Sequence, residues 1–400
     1  MSMQTKNKYG QTLSAEERKA KSPLGIYEKA AVAADNGACS EIGNAILRKG
    51  GNAVESVIAT AICIGVMDPH SAGLGGGHFL TIYNKQSKSC TILDARERAP
   101  FHIEDARYQN DTKLIQTGWI AVAVPGEIHG FWTAYQRYGG NVPWKDLWTP
   151  TIDICRKGMS ISPAVAKILR DYASAVKSSP YLSDFIDEKT GQPRKEGEMM
   201  KFPKLADTME KLANSKNPVQ LFYDSEWTDR MIDEFRTNGG VMTREDFRNY
   251  TSRLGVRERP PIYAKLRNNL TFCSPPPPSS GGLSTSIIST LDAFDMTTVD
   301  KSNRTAVAQL FHRFLEATKF AYGIRNKLGD MDFVDSAYQS VDSANYPTYA
   351  RYIRQKITDK SMTDPLYYGA ATVKWDHGTA HMSVVDQYGN AASLTSSINL

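Results

Sequence analysis

The end of the chain constrains the fold most: His377-Gly-Thr-Ala-His-Met-Ser-Val-Val-Asp-Gln-Tyr-Gly-Asn-Ala-Ala-Ser-Leu-Thr-Ser-Ser-Ile-Asn399. The loop Gln387-Tyr388-Gly389 predicts a β-hairpin, with Gly389 in the left-handed position that such loops favour. Counting outward from Asp386 opposite Asn390 sets Ser393 against Ser383, Thr395 against His381 and Ser397 against Thr379. Side chains alternate between the faces of a strand. Thr379, His381, Ser383, Ser393, Thr395, Ser397 and Asn399 therefore share one face, while Ala380, Met382, Val384, Leu394 and Ile398 share the other. The apolar face calls for a core. The hydroxyl face belongs either to a solvated edge hairpin or to a site with chemistry.

Upstream, residues 1–25 read as a mobile lead-in. Ser40–Lys49 and Ala53–Val66 carry helical patterns separated by Gly50-Gly51, with Asn52 placed to cap the second. Cys39 and Cys63 lie equally far from Gly51. If the helices fold back on each other, these thiols meet at one height, either as a disulfide or as two buried free thiols. Gly73-Leu-Gly-Gly-Gly77 follows; with no GxxxxGK[ST] pattern it reads as a tight turn or a close backbone approach rather than a phosphate loop. His78–Tyr83 and Cys90–Leu93 predict a strand pair, Val122–Pro125 another short strand, and 142–253 a mainly helical region. Pro275–Pro278 reads as a rigid loop running into Gly281-Gly282. In Ala306–Arg325, Ala306, Leu310, Phe314 and Ala317 recur at helical spacing, which predicts a core face. Mixed helix-rich and strand-rich stretches without a sharp boundary fit a layered body of α and β elements.

Composition narrows the function. The chain has 400 residues, 41% hydrophobic and 23% charged, with a net charge of +5 and no dense Lys/Arg stripe, so nucleic acid is not an expected partner. The longest apolar run, Val57–Met67, is shorter than a membrane span, and Met1–Lys21 lacks a signal-peptide core. Cys90, Cys155 and Cys273 show no metal-binding spacing, and no metal or organic cofactor is expected. Sequons at Asn110, Asn249, Asn269 and Asn303 lean towards a secreted setting.

A threonine hydroxyl needs a base before it becomes a nucleophile. A cut between Gly378 and Thr379 would supply one, because the freed α-amine has a pKa near 8. Gly378 suits that cut, since a residue without Cβ tolerates the strained backbone it requires. Thr379-Ala-His-Met-Ser-Val, Gly389-Asn390, Ser393, Thr395 and Ile398-Asn399 resemble the γ-glutamyltranspeptidase signature around its processing site. The resemblance extends through Ala31-Val-Ala-Ala, Gly50-Gly-Asn-Ala-Val54, Gly73–Gly77, Asp94-Ala-Arg-Glu97, Val124-Pro-Gly-Glu127 and Gly281-Gly282, covering the chain from about residue 26 onward.

The resemblance implies an α+β fold, the four-layer αββα sandwich of the N-terminal-nucleophile hydrolases, incomplete at its C-terminus. It divides the chain into a large-subunit region, 26–378, and the start of a small subunit, 379–400. It makes Thr379 the nucleophile, with Ser397 beside it where the family usually has threonine. It assigns Arg96 to the α-carboxylate of a γ-glutamyl donor and Asn399 to the near side of the pocket, and it implies a Cys39–Cys63 disulfide. Ala392 stands where valine is common, a packing change. Implied partners are glutathione or another γ-glutamyl donor, an amino acid, dipeptide or water as acceptor, and the chain's own small subunit. The implied location is secreted or on the outer face of the plasma membrane, with any anchor outside this chain. The polypeptide as written is not expected to be a complete catalyst. A glutaryl-amide acylase on the same fold and a non-catalytic binding fragment are the alternatives.

Overall fold

The computed structural model describes residues 27–103, 111–294, 299–370 and 378–398, so the expectations placed on Asn399, His377 and Asn110 lie outside it. In chain order the elements used below are β1 (Ala31–Ala34), α1 (Gly37–Arg48), α2 (Ala53–Met67), β2 (Gly77–Asn84), β3 (Ser89–Ala95), α3 (Glu127–Tyr138), α4 (Trp144–Lys157), α5 (Pro203–Asn214), β4 (Arg257–Arg259), β5 (Ile262–Lys265), β6 (Thr271–Ser274), α6 (Gly281–Asp292), α7 (Arg304–Arg325), α8 (Asp335–Asn345), α9 (Pro347–Lys356), β7 (Ala380–Val385) and β8 (Ala391–Ser397).

A six-stranded antiparallel sheet, in the order β1-β7-β8-β2-β3-β4, is the frame. The terminal hairpin forms its centre. Ser383 faces Ser393 and His381 faces Thr395, which is the register counted from the sequence. Ala380, Met382, Val384, Ala392 and Leu394 are buried, whereas His381, Ser383 and Thr379 are exposed. Gly389 takes φ +81° in the loop, and the Asp386 carboxylate folds the turn together by accepting from Tyr388 N and Asn390 N. Its other oxygen accepts from Ala53 N at 3.1 Å, tying the hairpin to the first turn of α2. There a carboxylate meets the free N–H groups and positive end of the helix.

Helices α1, α2 and α3 cover the apolar face. Helix α2 is hydrophobic all round because it is enclosed all round, and α4 and α5 pack behind it. Asn52 caps it as expected, with Glu55 completing the capping box and also accepting from Gly140 N and Val142 N. The α1–α2 hairpin brings Cys39 and Cys63 together as a disulfide, Cα–Cα 5.3 Å. A second disulfide, Cys90–Cys273, joins β3 to β6 across 183 residues. Strands β5 and β6 with helices α6 to α9 form a helical lobe with small cores of its own, one around Leu283, Ala321 and Ile324, the other around Phe320, Ile353 and Tyr368.

Two expectations change. Val122–Pro125 contributes only an isolated bridge, Val124 to Arg98, because Pro125 has no N–H to extend a ladder. On α7 Ala317 is buried but Phe314 is 43% exposed and Phe311 61%. Helical spacing marks a shared face, and here that face is only partly covered.

Beneath the sheet end, His129 lies edge-on to Tyr223 and Tyr250, with ring centroids 6.0 and 5.9 Å away. Burial first, then the nearby Arg137 charge, pushes its pKa down to about 4. An unfolded histidine titrates near 6.5, so between those values the unfolded chain binds more protons than the native one. Stability from neutral His129 is therefore complete above about pH 6.5 and drains away towards pH 4. Urea unfolding at about pH 7 and about pH 4.5 should show a smaller acid loss in His129→Gln than in the wild type.

Candidate active site

Antiparallel register aligns three expected site residues with one glycine. Ala380 pairs with Ser396, Ser396 with His78, and His78 with Ala95. One step towards the sheet end, Ser397 pairs with Gly77, and the chain neighbours Thr379 and Arg96 continue that row on either side. Thr379, Ser397, Gly77 and Arg96 thus cross the sheet in a line, spanning three inter-strand steps, about 14 Å. Gly77 puts no side chain into the middle of it.

The Thr379 hydroxyl donates to the Ser396 carbonyl oxygen at 2.6 Å. Gly378 has open space around its Cα. Ser397 is half-buried, and its backbone is fixed by the glycine turn: a Cβ on Gly76 would collide with the Ser397 carbonyl oxygen and the Ile398 side chain. The glycine cluster is therefore a close backbone approach, as read from the sequence. The Gly76 carbonyl in turn accepts from Gly126 N at 2.8 Å and Glu127 N at 3.0 Å, which docks α3 behind the turn.

Arg96 is held by its backbone and leaves its head accessible. Its N–H donates to Asp94 Oδ1 and its carbonyl accepts the Tyr250 hydroxyl. The guanidinium lies 3.2 Å from the Glu97 carboxylate while the Arg96 side chain stays 40% exposed. Burial raises the Glu97 pKa, with Arg96 pulling the other way. The Asp94 carboxylate takes Arg259 at 3.0 Å. Arg259 also makes two 2.7 Å bonds to Asp332, whose carboxyl is held far below the usual range by that contact first. Arg98 reaches Asp330 and Asp332 as well, so this cluster anchors the stretch after α7 to β3 and β4.

On the hydroxyl face, the His381 ring gathers its neighbours: Nδ1 bonds Thr395 Oγ1 at 2.7 Å, and Nε2 lies 3.1 Å from Ser383 Oγ and 3.2 Å from Ser393 Oγ. Partial burial lowers its pKa, opposed by Asp35, whose carboxylate accepts the His381 N–H.

Sequence reasoning missed a buried trio behind the row. Ser396 Oγ donates to Glu127 Oε1 at 3.0 Å, and His78 Nδ1 is 2.7 Å from Glu127 Oε2. His78 is stacked on Phe131 and has an ionisable partner. The available signal was a serine at position 396, on the face that is otherwise apolar.

A threonine next to a glycine at the start of a central strand, in an antiparallel sheet backed by helices, is the arrangement expected of an N-terminal-nucleophile hydrolase fold. The described residues supply one helical layer and one sheet of its four layers. In comparisons with known proteins, the family model "Gamma-glutamyltranspeptidase" matches residues 39–400. The chain belongs to the γ-glutamyltranspeptidase family. It is 36% identical over 385 residues to scoloptoxin SSD14 of Scolopendra dehaani, covering 96% of this chain and 65% of the relative. It is 34% identical over 373 residues to glutathione hydrolase 2 of Arabidopsis thaliana, covering 92% and 62% respectively. Among solved structures, Helicobacter pylori γ-glutamyltranspeptidase superposes with a TM-score of 0.74 at 25% identity, covering 86% of this chain and 96% of that one. The chain spans a little under two thirds of the length of these curated relatives.

Gly76→Ala forces the β2 turn away from Ser397. We expect overpacking to cost about 1–3 kcal/mol, read as a lowered unfolding midpoint in urea at unchanged slope.

Proposed function

We propose that the protein transfers or hydrolyses γ-glutamyl groups through a threonyl ester on Thr379. The alignment of Thr379, Ser397, Gly77 and Arg96 in one row carries this reading. In the precursor, Thr379 Oγ attacks the Gly378 carbonyl carbon, and the amide nitrogen leaves to give an ester. The Thr379 α-amine is freed as that bond breaks, taking up the hydroxyl proton; water then opens the ester, releasing the Gly378 carboxyl and restoring the hydroxyl, for which the amine serves as base. The hydroxyl next attacks the γ-carbonyl of glutathione or a related donor, the amine departs, and water or an amino acid or dipeptide takes the acyl group.

Arg96 receives the donor α-carboxylate, for which its planar fork is suited. Gly77 leaves room for the chain between the two ends. Ser397 supports the Thr379 hydroxyl, and Asn399 completes the near side of the pocket. The remaining contacts come from the small-subunit region that begins at Thr379. Two disulfides and four sequons support a location outside the reducing cytosol. No helix among the described residues is long and apolar enough to cross a membrane.

In the full-length protein, Thr379→Ala should abolish both the Gly378–Thr379 break, followed by mass spectrometry, and release of anilide from γ-glutamyl-anilide. Normal processing of that variant would remove Thr379 as the nucleophile. Losing a charged, bidentate contact is worth about 1.5–3 kcal/mol, so Arg96→Ala should raise the donor KM about 10- to 100-fold. An unchanged KM would remove Arg96 from that role, and preference for glutaryl-amide over γ-glutamyl donors would overturn the assignment of substrate.

A further inference from the structure

Directly beside the reactive row, on the buried side of the same strands, runs a second row: Ala380, Ser396, His78 and Ala95. Two of its members are polar where the sheet's covered face is otherwise filled by Met382, Leu394, Leu80 and Leu93. Ser396 and His78 are completely buried, and Glu127, which bonds both, is 2% exposed. A carboxylate in such surroundings is unfavourable unless its oxygens are satisfied; these oxygens are, by Ser396 Oγ at 3.0 Å and His78 Nδ1 at 2.7 Å. One proton is shared between His78 Nδ1 and Glu127 Oε2 across that contact. The His78 Nε2 is enclosed with no hydrogen-bond partner among the described residues, against Gly130, where any Cβ would strike the ring.

This trio is joined to the reactive row at two points. The Ser396 carbonyl accepts the Thr379 hydroxyl at 2.6 Å. The Glu127 N–H donates to the Gly76 carbonyl at 3.0 Å, in the turn that presses on the Ser397 carbonyl. One glutamate thus holds, with its carboxylate, the side chain of the residue whose carbonyl accepts the Thr379 hydroxyl and, with its main chain, the turn packed against Ser397.

We infer that Glu127 is a positioning residue for the nucleophile, acting through Ser396. Held from behind, the Ser396 carbonyl fixes the direction of the Thr379 O–H and turns the oxygen's lone pairs towards the carbonyl it attacks. This inference rests on reading Thr379 as the nucleophile. The geometry also explains why a glutamate opens α3 here: its backbone and carboxylate serve two strand ends that must stay in register.

The test uses the full-length protein with Thr379→Ala, Ser396→Ala, Glu127→Gln and the Ser396→Ala/Glu127→Gln pair. We expect Ser396→Ala and Glu127→Gln each to slow Gly378–Thr379 cleavage about 10-fold, a scale typical of small losses of alignment. In the processed enzyme, kcat should fall by a similar factor while donor KM stays constant. The double variant should be no slower than the slower single one, because both changes break one chain of contacts. Where Glu127→Gln does not fold, Ser396→Ala, which removes a single oxygen, decides alone. Wild-type cleavage and kcat in Ser396→Ala with Thr379→Ala inert would overturn this inference and leave the nucleophile standing. A processed and active Thr379→Ala would overturn both. Loss of folded protein with unchanged kcat per processed molecule would reduce the trio to a structural tether, which also overturns it.

Discussion

The register between β2 and β8 is the constraint on which the candidate site depends. A slip of one residue would turn every side chain on those strands to the opposite face, exchanging Ser397 for Ser396 and putting leucines where the hydroxyls stand. Two local features prevent it. Gly76 approaches the Ser397 backbone too closely for any other residue, and Asp386 pins the far end of the hairpin to the N-terminus of α2. With both ends fixed, the strands between them have one pairing available, and Thr379 and Arg96 fall into line as a consequence.

Much of this was legible in the sequence, for a physical reason. Hairpin register follows from turn chemistry and period-2 alternation, both local properties, so Thr395 opposite His381 follows from counting residues outward from the turn. The α1–α2 hairpin was readable in the same way, through Asn52 and Gly50, and set Cys39 and Cys63 at one height, while the disulfide itself was implied by the family resemblance. What escaped was non-local. Cys90 and Cys273 meet only because β3 and β6 are brought together across 183 residues, and no spacing rule encodes that. Phe314 has the spacing of a core residue, yet periodicity tells which side of a helix is apolar and not what lies against it. Ser396 falls on the apolar face by alternation, and its significance stayed hidden because its partner Glu127 is 269 positions away.

Electrostatics at the sheet end separates structural arginines from an available one. Arg98, Arg257 and Arg259 share Asp94, Asp330 and Asp332, and these pairs bind the segment after α7 to the sheet. Their charges are used within the fold. Arg96 lies among them with one partly desolvated carboxylate neighbour among the described residues, Glu97, whose raised pKa reflects how poorly that site favours its charge. A weakly compensated guanidinium on an open face is the arrangement an incoming carboxylate would need. Asp94, Asp330 and Asp332 are already committed to other arginines and do not compete for it.

Strand alternation then links the two faces of the sheet. Each residue in the front row has a buried neighbour one position along: Ala380 after Thr379, Ser396 before Ser397, His78 after Gly77, and Ala95 before Arg96. A side chain on an open face has few contacts of its own to fix it, so its position is set by the adjacent residue locked in the core. Next to Thr379 and Arg96 on their own strands that neighbour is alanine. Beside the paired hydroxyls of Thr379 and Ser397, the core instead holds a serine bonded to a buried glutamate, a directional contact that packing alone does not provide.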